Sequence, residues 1–183
     1  MSKYQIPIIA RGQIIDDYEV ICHGRYGADF TCPDPNKYLS RILLPSRRAM
    51  EPLYQLSLDE VVSYLLELGK HLKTATNPHL QWALELAKAF NDVPPHMVRN
   101  AMDSFQDRFL TRSNLEGMID TVGREHLDGW QRHERDSGRI SYIRAFGVPT
   151  AHVIAGNGPS VAMMTLVRNA LIRGYAIVKI PSN

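Results

Sequence analysis

Two runs of β-branched and other apolar residues lie near the start of the chain, at residues 5–10 and 14–21, and the tripeptide Arg-Gly-Gln at residues 11–13 separates them. A short connection that contains glycine between two such runs predicts a β-hairpin. The next segment, residues 29–52, contains four prolines and no sustained hydrophobic period. That pattern predicts a surface loop or linker.

Helical periodicity begins at Ser57. Ser57 and Glu60 have the spacing of a capping box, in which each side chain hydrogen-bonds the other residue's backbone N–H. Apolar residues then recur at helical spacing, so a helix is predicted to start here. Its apolar face is expected to contain Val61, Tyr64, Leu65 and Leu68.

Three more helices are predicted, over residues 78–90, 95–110 and 113–121. The last of them opens on a second S-x-x-E spacing, at Ser113 and Glu116, which predicts another capping box. Together these segments make a mostly helical region before any parallel-sheet pattern appears.

The segment 123–139 is rich in charge, and residues 140–148 then alternate in the way typical of a strand that Gly147 and Pro149 would end. Within the charged segment the histidines and glutamates do not have the H-E-x-x-H spacing of a helical zinc site. We interpret them as a solvated connection rather than a metal or acid/base cluster. The residues concerned are Glu125, His126, His133 and Glu134.

The stretch 152–183, HVIAGNGPSVAMMTLVRNALIRGYAIVKIPSN, has the pattern strand, helix, strand. Residues 153–155 suit a buried strand, and Pro159 suits the first turn of a helix because its missing N–H needs no partner there. Residues 161–172 are almost all apolar, and Gly174 is expected to cap the end of that helix. Strand, helix and strand in so short a stretch predict a parallel, right-handed crossover.

Ligands of such units collect at the carboxyl ends of the strands, and two polar residues fall there. The amide of Asn157 can donate to a developing oxyanion, and Lys179 can meet the ribose or phosphate of a nucleotide. A turn residue and a surface cation are the plain alternatives. Neither G-x-G-x-x-G nor G-x-x-x-x-G-K-[ST] is complete, so spacing alone leaves both interpretations open.

Charge and cysteine content narrow the class of protein. Lys and Arg total 21 against 19 for Asp and Glu, a net charge of +2, which gives no reason to expect nucleic-acid binding. The apolar runs are shorter than a membrane span, and the start lacks a signal-peptide pattern, so a cytoplasmic location is the default interpretation. Cys22 and Cys32 lack metal-ligand spacing and are expected to be reduced thiols, with no metal bound.

The last part of the chain resembles the long-chain acyl-CoA reductases of the bacterial bioluminescence type, in the aldehyde dehydrogenase superfamily. The resemblance covers residues 141–183 and rests on S-Y-I-R-A-F, H-V-I-A-G-N followed by Pro, L-V-R-N-A-L-I, and I-V-K followed by Ser. The helical segment LLELGKHL fits more loosely. The resemblance implies an α/β, aldehyde dehydrogenase-like fold with an N-terminal hairpin and helical region over residues 1–139. At 140–183 it implies the first βαβ unit of a truncated, incomplete Rossmann-like cofactor domain.

The resemblance implies reduction of fatty acyl-CoA to aldehyde with NADPH through a cysteine thioester. Asn157 would belong to the oxyanion hole, and Lys179 would contact the adenosine ribose or its phosphate, with Ser182 close by. The residues beside the nicotinamide would be Ile154, Ala155 and Gly156.

Two departures from the family pattern limit this transfer of roles. Aligning on Lys or on Pro-Ser differs by one residue, so Ser182 is the less secure assignment. The family's nucleophilic Cys lies downstream of the motif, whereas Cys22 and Cys32 lie upstream of it. The chain is therefore expected to be the N-terminal part of a longer reductase and to be inactive alone.

The expected partners are acyl-CoA and the remainder of the reductase chain, with a homo-oligomer or an acyl-transferring protein left open. A CoA-acylating aldehyde dehydrogenase for shorter acyl groups is an alternative within the enzyme class. Outside that class, a helical interaction module with a βαβ appendage that binds no nucleotide is the alternative.

Overall fold

The computed structural model describes residues 4–24, 27, 29–90, 93–155 and 159–181, which form small sheets and helices in a mixed α/β arrangement. The strands are β1 Tyr4–Gln5, β2 Ile8–Ala10, β3 Gln13–Ile15, β4 Val20–Cys22, β5 Phe30–Cys32, β6 Gln131–Glu134, β7 Ile140–Ile143, β8 Pro149–Val153 and β9 Tyr175–Lys179. The helices are α1 Leu39–Ile42, α2 Glu51–Gln55, α3 Leu58–His71, α4 Pro78–Phe90, α5 Pro95–Phe109, α6 Arg112–Asp120, α7 Arg124–Asp128 and α8 Pro159–Leu171.

The predicted hairpin is confirmed between β2 and β3, which are antiparallel with Ile9 opposite Ile14. Its turn consists of Arg11 and Gly12, both with positive φ (50° and 75°), as a type I′ hairpin turn requires. The second predicted strand is too long, however. It stops at Ile15, and the chain resumes as β4 in another sheet, of order β1-β5-β4.

The prediction of a loop over residues 29–52 is wrong, because the segment holds β5, α1 and two 3₁₀ turns, and α2 begins within it. Two of the prolines taken as loop signals start helical turns instead. Pro35 opens the 3₁₀ turn Pro35–Tyr38, and Pro52 lies in the first turn of α2. Proline favours these positions because its fixed φ suits a helix start and its missing N–H is not needed there.

The capping box at the start of α3 is confirmed. Ser57 N donates to Glu60 Oε2 at 2.7 Å, and Glu60 N donates to Ser57 Oγ at 3.2 Å. The buried face is rotated from the predicted one, because Tyr64 is 65% exposed. The buried residues of α3 are Leu58, Val61, Val62, Leu65 and Gly69.

The bounds of α4 agree with the prediction, and α5 ends one residue earlier than expected. The start of α6 does not follow the predicted capping box. Its N-cap is Thr111, whose side chain accepts from Asn114 N at 3.3 Å. Glu116 instead pairs with Arg124, through Nη2 and Oε2 at 2.5 Å.

One core joins the helical region to the C-terminal unit. Residues of α3, α5, α6 and α7 pack with Val167 and Leu171 of α8. A division of the chain near residue 140 stays a prediction, since this core draws on both sides of it. The buried residues are Leu58, Val61, Val62, Leu65, Phe105, Leu110, Leu115, Ile119, Leu127, Val167 and Leu171.

The C-terminal unit has the predicted order of strand, helix and strand, and β8 is parallel to β9. Three details differ from the prediction. The buried strand predicted at residues 153–155 is wrong in its bounds and burial, because β8 ends at Val153 and Val153 is exposed. The strand over residues 140–148 is only β7, which pairs antiparallel with β6, and Pro149 opens β8 rather than ending a strand. Burial along β8 alternates between exposed and half-buried positions, as the side-chain period of a strand requires, and Val153 is 81% exposed.

Candidate functional site

The carboxyl ends of β8 and β9 lie side by side. Val153 is in register with Lys179, and Ile154 N donates to the carbonyl oxygen of Lys179 at 3.0 Å. Ile154 is buried (7% exposed), whereas Lys179 is exposed. Within the described part of the chain, the Lys179 side chain makes no hydrogen bond or ion pair. Its exposed side chain lies at the last position of β9.

Several predicted site residues lie outside the described residues: Gly156, Asn157 and Ser182. Ala155 is described and exposed, and it follows Ile154 directly. The structure thus brings Ile154 and Ala155 to the same edge as Lys179. The roles assigned to the other three residues stay predictions.

Helix α8 begins at Pro159, as predicted, a few residues after the end of β8. A helix N-terminus carries a partial positive charge, and it favours anionic groups. Ile154 is buried just after β8, and the electropositive N-terminus of α8 follows it in the sequence. Lys179 adds a full positive charge to the neighbouring strand.

The end of α8 has the hydrogen bonds of a Schellman motif. Arg173 N donates to Ala170 O at 2.8 Å and Gly174 N donates to Asn169 O at 2.9 Å. Gly174 was predicted to cap the helix, and its N–H does so. The left-handed residue, however, is Arg173, with φ of 56°, a position that usually takes glycine.

A partly buried polar network lies around the other end of β8, and the sequence did not reveal it. Asn169 Nδ2 donates to Gly174 O at 2.8 Å, and its Oδ1 lies 3.2 Å from Thr150 Oγ1. Thr150 Oγ1 also lies 2.8 Å from His152 Nε2 and 3.3 Å from Tyr175 O. The hydroxyl has one proton, so it donates to one acceptor at a time. The only sequence signal was that Asn169 is one of three polar residues in the mostly apolar segment 161–172.

Arg173 connects the βαβ unit to the helical region, which explains its unusual position. Arg173 is 5% exposed, and its guanidinium donates to Leu56 O at 2.5 Å and to Leu127 O. Asp128 Oδ1 lies 3.6 Å away. Burial lowers the pKa of Arg173, although Asp128 favours its charged form. The left-handed backbone conformation of Arg173 thus places its guanidinium within hydrogen-bond distance of two carbonyl groups.

The S-Y-I-R-A-F segment packs on α2. Arg144 lies over the ring of Phe146 at 4.8 Å and donates to Tyr54 O at 3.3 Å. Tyr54 Oη in turn donates to Gly147 O at 2.7 Å. This motif therefore holds the approach to β8 in place.

Among the described residues, neither a metal site nor the cleft between α4 and α5 includes Ile154 or Lys179. Among the residues that the structure describes, no three His, Cys, Asp or Glu side chains form a group able to hold a metal ion. An open cleft of about 690 Å³ between α4 and α5 is lined by Trp82, Arg99 and Asp103, and it contains neither Ile154 nor Lys179. None of the described helices combines the length and the apolar character needed to cross a membrane.

Comparison with protein families identifies the chain. The profile of the acyl-CoA reductase (LuxC) family matches residues 53–183, from α2 through the helical region to the βαβ unit. The chain therefore belongs to the acyl-CoA reductase (LuxC) family, and the predicted resemblance is confirmed. This family implies an enzyme that acts on acyl-CoA. A search of curated proteins gives no match.

Proposed function

We propose that these residues form the first part of the cofactor site of a reductase that converts fatty acyl-CoA to aldehyde with NADPH. Family membership supports the substrate class. The observation that carries the cofactor is the bond from Ile154 N to Lys179 O, because it puts an exposed cation beside the carboxyl end of β8. Dinucleotides bind at such strand ends in open parallel sheets.

The residues present fit a dinucleotide. Lys179 would contact the adenosine ribose or the phosphate that distinguishes NADP from NAD, with Ser182 close by. Ile154, Ala155 and Gly156 would run beside the nicotinamide. NADPH, when bound, supplies the hydride that reduces the acyl carbon.

Asn157 is proposed to stabilise the charge that develops on the substrate oxygen. Its side-chain amide would donate a hydrogen bond to the oxyanion of the tetrahedral thiohemiacetal. A fixed dipole at that point lowers the barrier because it needs no reorganisation when the charge appears.

The nucleophilic thiol is proposed to lie outside these 183 residues. Cys22 and Cys32 belong to the N-terminal sheet, and burial raises the pKa of the Cys32 thiol to about 11. A thiol that is protonated at neutral pH is a poor nucleophile. On this proposal, the chain alone consumes no NADPH when it is given acyl-CoA.

The test is substitution of Lys179 by Met in the intact reductase, with titration of NADPH and NADH. Met keeps much of the stem and removes the charge. Loss of a charge-assisted contact costs roughly 1.5 to 3 kcal/mol, so NADPH should bind about tenfold or more weakly, and NADH should lose less. Lys73→Met is a matched control, because Lys73 is an exposed lysine in the turn between α3 and α4.

Each outcome of this titration assigns Lys179 differently. A loss confined to NADPH supports a contact with the additional phosphate. Equal losses for the two cofactors indicate a ribose contact. Unchanged binding of both would remove Lys179 from the cofactor site.

A further inference from the structure

Two cysteine thiols meet in the N-terminal sheet. Cys22 Sγ and Cys32 Sγ lie 3.6 Å apart, the separation of two sulfur atoms in contact. Both side chains are half-buried, and both cysteines are free. The pair is separate from the βαβ unit and plays no part in the function proposed above.

The strand register explains the contact. β4 and β5 are antiparallel, with Cys22 opposite Phe30 and Val20 opposite Cys32. The two cysteines therefore lie on the same face of the sheet as diagonal neighbours. An ion pair between His23 Nδ1 and Asp29 Oδ1, at 3.2 Å, spans the connection just beyond the two strand ends.

We propose that Cys22 and Cys32 form a reversible intramolecular disulfide by exchange with a low-molecular-weight disulfide such as oxidised glutathione. A disulfide bond is about 2.05 Å long, so the sulfurs must approach by roughly 1.5 Å. Rotation about the side-chain torsions, with a small shift of the strands, provides that approach. A metal site is disfavoured, since no third His, Cys, Asp or Glu side chain completes a group among the described residues.

The exchange proceeds in two displacements. The thiolate of Cys22 attacks one sulfur of oxidised glutathione, the glutathione S–S bond breaks, and one glutathione thiolate leaves. The thiolate of Cys32 then attacks Cys22 Sγ and displaces the second glutathione. The two cysteines lose two electrons, and their two protons pass to the glutathione thiolates, so one oxidised glutathione becomes two reduced molecules.

The environment of Cys32 disfavours its thiolate. Burial, the hydrogen bond with Cys22 and the nearby Asp34 raise the pKa of the Cys32 thiol to about 11. Cys32 is therefore protonated at neutral pH and is the slower nucleophile. In the proposed order Cys22 attacks first, and Cys32 acts as the resolving thiol.

The test treats the 183-residue chain with excess oxidised glutathione, blocks the remaining thiols with N-ethylmaleimide under denaturing conditions, and measures the intact mass. The expected product is monomeric, lighter by two hydrogen atoms, and carries neither glutathione nor maleimide. Dithiothreitol should restore both thiols. Trypsin cleaves after Arg11, Arg25 and Lys37, so the disulfide should link peptide 12–25 to peptide 26–37.

Two controls separate proximity in the sheet from general reactivity. Cys32→Ser removes the resolving thiol, so this variant should keep one glutathione on Cys22. The wild-type chain unfolded in urea should form the internal disulfide with an equilibrium constant at least about tenfold lower, because the sheet no longer holds the thiols together.

Three results would overturn the proposal. They are wild-type protein that keeps glutathione on either cysteine, a disulfide between two chains, and thiols that stay reduced in excess oxidised glutathione. The wild-type measurement alone tests the disulfide, so the proposal can be rejected even if the Cys32→Ser variant does not fold. An equal equilibrium constant in urea would also count against it.

Discussion

The backbone at Gly147 crosses the backbone at Gly174 with no room for a side chain. A β-carbon on Gly147 would lie 2.6 Å from Gly174 N and 2.4 Å from the carbonyl oxygen of Ile172. Both obstacles are backbone atoms, which cannot move aside as a flexible side chain can. This crossing holds the approach to β8 against the end of α8.

Gly147→Ala should therefore destabilise the chain by about 2 kcal/mol or more, through overpacking at a backbone contact. The matched control is Gly117→Ala, an exposed position in α6 with nothing within 4 Å of an added β-carbon. There alanine should stabilise by about 0.5 to 1 kcal/mol, because it is the better helix former. Urea unfolding of the two variants measures both effects, and a Gly147→Ala variant as stable as wild type would contradict the close crossing.

Substitution of Arg173 tests whether its charge or its backbone matters more. Arg173→Gly relieves the positive φ but leaves the carbonyl groups of Leu56 and Leu127 without their donor. We expect a net loss of about 2 to 4 kcal/mol in the free energy of unfolding. Arg11→Gly is the control. Arg11 also has a positive φ, but its hydrogen bond to Leu43 O is exposed to solvent, so the change in stability should be less than about 0.5 kcal/mol. An Arg173→Gly variant more stable than wild type would show that the guanidinium contacts do not contribute to the free energy of unfolding.

The cap of α6 offers a direct comparison of two neighbouring hydroxyl residues. Thr111→Ala removes the acceptor for Asn114 N and should cost about 1 kcal/mol. Ser113→Ala lies inside the helix and should cost almost nothing, or stabilise slightly. Chemical denaturation of the two variants decides it. The opposite ranking would restore the capping box that the sequence predicted.

The capping box of α3 predicts a pH dependence. Hydrogen bonds from the Ser57 N–H and hydroxyl lower the pKa of Glu60, so the folded state favours its ionised form. The stabilisation is present above the unfolded pKa of glutamate, about 4.3, and is lost as pH falls through the lower folded value. Wild type should exceed Glu60→Gln in stability at pH 7, and the difference should shrink towards pH 3. A difference that stays constant between these pH values would contradict the assignment.

Asn157→Ala tests the proposed oxyanion donor in the intact reductase. Loss of one such donor should lower turnover by roughly 10²-fold to 10³-fold, while the affinities for cofactor and substrate change little. Asn100→Ala, at an exposed position on α5, is the control and should leave turnover unchanged. Steady-state kinetics measure the split between kcat and KM. Normal turnover in Asn157→Ala would make this residue a turn former only.

Local signals in the sequence predicted the local parts of the fold. The Ser57 and Glu60 spacing located the start of α3, and glycine with its neighbours located the first hairpin, because a cap or a turn depends on a few adjacent residues. The S-x-x-E spacing at Ser113 failed for the same local reason. The N-cap of α6 is Thr111, two residues earlier.

Features that depend on contacts between distant parts of the chain could not be predicted from such local signals. Nothing near Tyr64 indicated that α3 would rotate it to the surface, because packing against distant helices sets that face. The sequence predicted Gly174 as the cap of α8, and glycine is also the residue that usually takes a left-handed conformation there. The contacts of Arg173 with Leu56 and Leu127, far away in sequence, outweighed that preference. Of the proposed site, the sequence located the strand ends, and the structure placed Ile154 beside Lys179.

The buried contacts of Arg173 also set an order of events during synthesis. Leu56 and Leu127 leave the ribosome well before Arg173, so their carbonyl groups first bond to water. Only when the segment around residue 173 has emerged can the guanidinium replace that water and bond to the two carbonyl groups. The nascent helical region therefore cannot reach its final form until the βαβ unit has been made. A ribosome that pauses before residue 173 would leave an unfinished core exposed to proteases.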